Sequence, residues 1–298
     1  MDYKDIKYLE DKVILEGVKN FNIKQILECG QCFRWDKVGE MNYIIVAFGK
    51  VLEILQEEDK VTFLNTNKED FETIWFKYFD LERDYDAIKA ALSFDDTLKS
   101  SVEYGYGIRL INQEAFELLI SFIISARNSI PSIKKTILKI SQRWGNEIQY
   151  KGNIYYTFPT PEMLKDATED EIRATGASFR SKYIVDTVKN VNDDLNNPEG
   201  TYNLERIISL SDDECHTALQ AFKGVGAKVA DCIMLFSMGK QSAFPVDVWV
   251  KRAMMHFYNA EEGSLNKIRI FGRTKFGQYA GFAQQYLFYY ARENGIKL

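Results

Sequence analysis

Lys223-Gly224-Val225-Gly226-Ala227-Lys228-Val229-Ala230-Asp231-Cys232, with Phe244-Pro245-Val246-Asp247 downstream, is the stretch around which the chain is organised. Before it, Ser211 to Phe222 reads as a helix. Ser211 is a fitting cap, and Glu214 three residues on completes a capping box. Cys215, Ala218, Leu219 and Phe222 then fall on one helical face. After it, Val229, Cys232, Ile233 and Phe236 repeat that spacing. Two helices joined by a tight Gly-Val-Gly hairpin follow from this pattern, because glycine lets a backbone turn sharply and approach another backbone closely. The free amides of the hairpin and of the next helix's first turn suit an anion.

Gly224-Val225-Gly226-x-Lys228 with Pro245-x-Asp247 resembles the helix-hairpin-helix-GPD superfamily of DNA glycosylases. The longer string through Cys232 is similar to the 8-oxoguanine DNA glycosylase/lyase family of eukaryotic type. The resemblance implies an α+β chain: an N-terminal antiparallel β-sheet lobe, residues 1–95, followed by a mainly α-helical glycosylase domain, residues 96–298.

The bounds of the sequence are compatible with that. Its 298 residues include 20 Phe, 17 Tyr and 4 Trp, enough for more than one packed lobe. The net charge of −5 does not advertise nucleic acid, although binding through a local groove and backbone amides needs no bulk charge. Cys29, Cys32, Cys215 and Cys232 form no disulfide framework, and there is no secretory signal or long apolar run, so a reducing cytoplasm and no membrane are expected. The Cys29-x-x-Cys32 pair has no second Cys or His pair at zinc spacing, so no metal and no cofactor are expected. Met1 to Asp5 faintly resembles part of an affinity tag, and nothing is drawn from it.

In the first lobe, Tyr43 to Phe48 and Val51 to Gln56 read as strands joined by a type II′ turn at Gly49-Lys50. Val61 to Leu64 is a third strand, and Val13 to Leu15 and Cys32 to Trp35 are shorter candidates. Lys68 to Phe79 and Tyr85 to Leu92 read as amphipathic helices. Gly30-Gln31-Cys32-Phe33-Arg34-Trp35 matches the family's Gly-Gln-x-Phe-Arg-Trp motif, which implies that the Gly30 carbonyl lies against the damaged base.

Farther on, Asn112 to Ile124 is apolar at helical spacing, Ser125 to Ser132 is a polar break, and a basic helix carries Lys134, Lys135, Lys139 and Arg143. Those charges read as a solvated face first and a DNA contact second. Thr160-Pro161-Glu162 and Thr168 to Glu171 read as helix starts. The segment Gly176 to Tyr183 matches a family motif with Phe179 in the place of Tyr. Near the end, Gly281 to Phe288 reads by pattern as an apolar-striped helix. The resemblance assigns Gln284 to the Watson–Crick edge of a flipped base, Phe288 to stacking on one face of it and Cys232 to covering the other.

The chemistry follows from residue types. Breaking an N-glycosidic bond builds positive charge on the deoxyribose, which a carboxylate such as Asp247 stabilises and a neutral amine can attack. Lys228 sits in a helix's first turn, where the dipole disfavours a cation. A Schiff base there would permit β-elimination. Lys223 is a rival nucleophile, and an ion pair with Asp231 is the structural alternative for Lys228.

The resemblance also implies an opposite-base pocket made of one Asn and two Arg, with a wedging Tyr. Here Arg180 matches one Arg, Ser132 stands for the other, Arg127 or Asn128 for the Asn, and Phe179 for the wedge. Gly224, Val225 and Gly226 would hold the DNA backbone. The expectation is a monomeric base-excision enzyme acting on duplex DNA that contains 8-oxoguanine, with relaxed opposite-base preference. A helix-hairpin-helix glycosylase for alkylated bases, or a non-catalytic DNA-binding module, are the alternatives.

Overall fold

The computed structural model describes residues 1–261 and 263–295. Six strands, β1 (Asp5–Tyr8), β2 (Lys12–Glu16), β3 (Trp35–Lys37), β4 (Asn42–Ala47), β5 (Lys50–Glu57) and β6 (Lys60–Leu64), form one sheet in the order β1-β2-β6-β5-β4-β3. The pairings β1–β2, β2–β6 and β3–β4 are antiparallel. The remainder is mainly helical, apart from a hairpin of β7 (Glu147–Tyr150) and β8 (Asn153–Tyr156). The α+β class expected from the sequence is what the chain adopts. Among the described residues no helix is long and apolar enough to cross a membrane.

Several local expectations are corrected. The β4–β5 turn is centred on Phe48 and Gly49, with φ of 51° and 69°, so it is the type I′ kind rather than a II′ turn at Gly49-Lys50. The Phe48 amide donates to the Glu114 carboxylate at 3.1 Å, which helps to hold a phenylalanine where glycine would be easier. Cys32 to Arg34 are not in a strand; β3 begins at Trp35. The helix after Ser211 ends at Leu219, not Phe222, and the strand β1 and the hairpin β7–β8 lie outside the sequence reading. The helix at Tyr85–Leu92 falls where it was expected, and both capping boxes, Thr168 with Glu171 and Ser211 with Glu214, are formed.

The chain folds as two compact units. The first comprises Met1–Gln31, Ile54–Asn112 and the chain from Met234 onward. Its core is aromatic: the Phe63 ring packs against Phe71 at 5.1 Å and against Phe79 at 5.5 Å. Arg109 is fully buried and pairs with buried Asp2 at 2.8 Å. Its Nε donates to the Phe79 carbonyl, and its guanidinium lies 4.0 Å from the Tyr85 ring centre. The tag-like opening residues therefore contribute a carboxylate to the interior.

The second unit comprises Cys32–Glu53 and Gln113–Ile233. The helix Ala115–Ser125 is buried from Leu118 to Ile124, and Phe33 packs on its Phe122 at 5.6 Å. Arg34 pairs with Glu117 at 3.1 Å, although burial still raises the Glu117 carboxyl above its ordinary range. In the basic helix Ile130–Trp144, Lys134 donates to the Trp35 carbonyl at 2.7 Å and lies over the Trp35 ring, and Arg143 pairs with Glu171. Two of its four cations thus serve the fold.

Candidate active site

In the second unit, the helices Asp212–Leu219 and Ala227–Ser237 are joined by the expected hairpin. Gly224 has φ of 86°, and a Cβ there would lie 2.8 Å from the Tyr183 ring, so the position requires glycine on both grounds. Gly226 has open space where a Cβ would go. Its carbonyl accepts the Ala230 amide at 2.9 Å, which starts the second helix. The helix leaves the amides of its own first turn unsatisfied. Val225 is buried.

Lys228 lies in that first turn, partly buried, with Nζ 5.2 Å from the centre of the Phe122 ring. Among the described residues no carboxylate pairs with it. Asp231, the partner considered for it, is fully buried and faces His216, whose Nε2 is 3.7 Å from Oδ1. The same Nε2 lies 3.2 Å from the Ala227 carbonyl, so His216 braces the start of the helix. The rival Lys223 is exposed and forms an ion pair with Asp186, which raises its pKa and holds it protonated. Cys232 is buried in the next turn after Lys228.

The opposite-base candidates also lie in this unit. Arg180 is buried and donates from Nε to the Ala126 carbonyl at 2.9 Å and from Nη2 to the Arg127 carbonyl at 3.0 Å. Arg127 is exposed, with φ of 53°. Asn128 spends its side chain on nearby backbone, donating to the Ile124 carbonyl at 3.1 Å and accepting the Ser129 amide at 3.0 Å. Ser132 is exposed and accepts from the Ser129 hydroxyl at 3.1 Å. Phe179 is 49% exposed, which leaves a large apolar ring free to insert into a stack. Its ring sits edge-on to Tyr183, the residue that packs on Gly224. Sequence reasoning quoted Tyr183 within a motif without seeing that it ties this loop to the hairpin.

The first unit holds the other candidates. Asp247 caps the helix Val248–Tyr258, its Oδ1 accepting the amides of Trp249 and Val250, each at 2.9 Å. Its Oδ2 has no partner within the chain among the described residues. Gly30 has φ of 94°, and a Cβ there would lie 3.4 Å from the Phe288 ring and 3.3 Å from Arg292 Nη1. Gln284, on the helix Ala280–Glu293, is buried, and its Oε1 has no hydrogen-bond partner. The Gly30 carbonyl likewise has none within the chain among the described residues. For the buried Gln284 oxygen that costs about 1–3 kcal/mol, a cost that a ligand's donor would relieve.

Asp2, Asp84 and Asp86 bring carboxylate oxygens within 4.8 Å of one another. Arg109 neutralises Asp2, Lys19 neutralises Asp86, and Asp84 caps the helix Tyr85–Leu92.

Residues 13–119 match the 8-oxoguanine DNA glycosylase N-terminal domain, and residues 120–270 match the HhH-GPD superfamily of base excision DNA repair proteins. The chain belongs to the HhH-GPD superfamily. It is 54% identical to the 8-oxoguanine glycosylase/lyase of Clostridium acetobutylicum, solved in complex with double-stranded DNA containing cytosine opposite 8-oxoguanine, with a TM-score of 0.95 over 99% of this chain and all of that one. It is 30% identical to a probable N-glycosylase/DNA lyase of Methanothermobacter thermautotrophicus over 78% of this chain and 77% of the relative. It is 28% identical to the N-glycosylase/DNA lyase of Saccharomyces cerevisiae over 89% and 82%.

Proposed function

We propose that this protein removes 8-oxoguanine from duplex DNA and then nicks the abasic site. The carrying observation is the pair of unpartnered acceptors, the Gly30 carbonyl and Gln284 Oε1, in the unit that also presents the Phe288 ring. A base must leave the stack to be reached. 8-Oxoguanine carries a hydrogen on N7 where guanine has a lone pair. A carbonyl acceptor therefore gains a bond from the lesion and meets repulsion from the normal base. That difference, about 1–3 kcal/mol, is worth one to two decades of selectivity.

In this reading Lys228 attacks the anomeric carbon, and the bond to the base breaks with its electrons leaving on the base. The carboxylate of Asp247 stabilises the positive charge that develops on the sugar. Loss of the amine proton and opening of the sugar ring give a Schiff base, and removal of a C2′ proton expels the 3′ phosphate by β-elimination. The ion pair of Lys223 with Asp186 supports Lys228 as the nucleophile. Neither step calls for a metal or an organic cofactor. Gly224 to Gly226 would grip a phosphate through backbone amides. The lobe 1–95 would supply Gly30, and the domain 96–298 the remaining groups. The four cysteines are buried thiols, which fits a reducing cytoplasm, and a monomer suffices for the chemistry.

The test is a panel of duplexes carrying 8-oxoguanine, an alkylated purine or no lesion, each treated with and without borohydride. Cleavage and trapping on 8-oxoguanine alone are expected. Excision of the alkylated base without trapping would replace this reading with the alkyl-base alternative. Binding without cleavage would leave only a DNA-binding module.

A further inference from the structure

Three successive carbonyls at Glu28, Cys29 and Gly30 are treated differently. Arg292 Nη2 donates to the Glu28 carbonyl at 3.0 Å. Gln285 Nε2 donates to the Cys29 carbonyl at 3.1 Å. The Gly30 carbonyl has no partner within the chain among the described residues. Gln31, next in sequence, donates to the carbonyls of Ile26 at 2.9 Å and Arg109 at 2.8 Å.

Gln285, Phe288 and Arg292 lie three and four residues apart, so they share one face of the last helix. The Arg292 guanidinium lies 5.3 Å from the Phe288 ring centre, and its Nη1 stands 3.3 Å from the position of a Gly30 Cβ. One helix face thus carries a stacking ring and two donors that pin the backbone beside it. Gln285 is buried, and a donor buried there without the Cys29 carbonyl would be unsatisfied. We propose that Gln285 and Arg292 are positioning residues that set the place of the Gly30 carbonyl and so the discrimination of 8-oxoguanine from guanine. This deepens the reading above and rests on it. A single carbonyl can tell an N–H from a lone pair only where its distance and angle are held, since hydrogen bonds weaken steeply with misalignment. Neither residue touches the sugar in this scheme, so the lyase step is independent of both.

The experiment compares Gln285→Leu, Arg292→Met, Arg292→Lys and the double Leu/Met variant with the native protein. Single-turnover excision of 8-oxoguanine, strand cleavage at a preformed abasic site, and the thermal midpoint are measured for each. Excision is expected to fall about tenfold in each of Gln285→Leu and Arg292→Met, the scale of one lost hydrogen bond, and further in the double variant. Arg292→Lys should recover part of the loss, and cleavage at the abasic site should stay within about twofold of native. Excision and abasic cleavage falling by one common factor, or neither changing, would overturn the proposal. A native protein that leaves 8-oxoguanine untouched would overturn the parent reading together with this one. Should the double variant fail to fold, the single variants decide.

Discussion

Asp247 caps the helix Val248–Tyr258 by accepting the Val250 amide at 2.9 Å on Oδ1, the oxygen that also takes the Trp249 amide. One carboxylate oxygen serves the fold, and the other, which has no partner within the chain among the described residues, is the one the proposed mechanism sets against a developing positive charge. Asp247→Asn should keep the cap, because Asn caps helices as well as Asp does. Its thermal midpoint should stay near native while excision falls at least ~100-fold, the scale of losing one electrostatic stabiliser. An activity loss that simply tracked a large drop in the midpoint would make the residue structural first.

Lys228→Gln should abolish both strand cleavage and the borohydride-trapped covalent complex while leaving duplex binding largely intact. Gel retardation and trapping on one duplex separate the two effects. Trapping that persists in the variant would move the nucleophile, with Lys223 the first suspect despite its ion pair to Asp186.

Selectivity for cytosine opposite the lesion should be weak. Ser132 offers only a short hydroxyl where the resemblance implies an arginine, the Asn128 side chain is bonded to nearby backbone, and Arg127 is exposed. A bidentate contact to a base is worth about 1–3 kcal/mol, so one missing contact relaxes selectivity by one to two decades. Single-turnover excision opposite each of the four bases measures this. Ser132→Arg should sharpen the preference for cytosine. A native preference as steep as about three decades, or no change in the variant, would count against this account.

The two hairpin glycines should behave differently. Gly224→Ala places a Cβ 2.8 Å from the Tyr183 ring at a φ of 86°, so it should destabilise by more than the ~1–2 kcal/mol of the backbone conformation alone. Gly226→Ala meets open space and should cost under about 1 kcal/mol. Chemical denaturation of both variants makes the comparison, and equal losses would refute it.

Alkali should stabilise the first unit over a defined window. Burial lowers the pKa of Lys89 to about 8 from its usual 10.5. Between those values the unfolded chain binds a proton that the folded chain does not, so stability rises with pH. The stability difference between the native protein and Lys89→Gln should therefore grow in favour of the native form from pH 8 toward 10. A flat difference would show that Lys89 titrates normally when folded.

Signals that act over a few residues were readable before any coordinates. The capping boxes at Thr168 and Ser211, the Gly224 hairpin and the helix at Tyr85 depend on near neighbours, and each is encoded by residue type at short spacing. The β4–β5 turn shows where that fails. Shifting a two-residue loop by one position changes its type, and strand twist together with the Glu114 carboxylate placed Phe48 rather than Lys50 in it.

Beyond those spans only the tertiary structure decides. Arg292 reaches the Glu28 carbonyl across 264 positions, Gln285 reaches the Cys29 carbonyl across 256, and Asp2 meets Arg109 across 107. No periodicity encodes such pairs, because a buried donor takes whichever acceptor packing brings within about 3 Å. The sequence by itself determined the fold class, the family and the residue types capable of the chemistry. Which acceptors stay unpartnered, and which side chains hold them in place, was decided by packing.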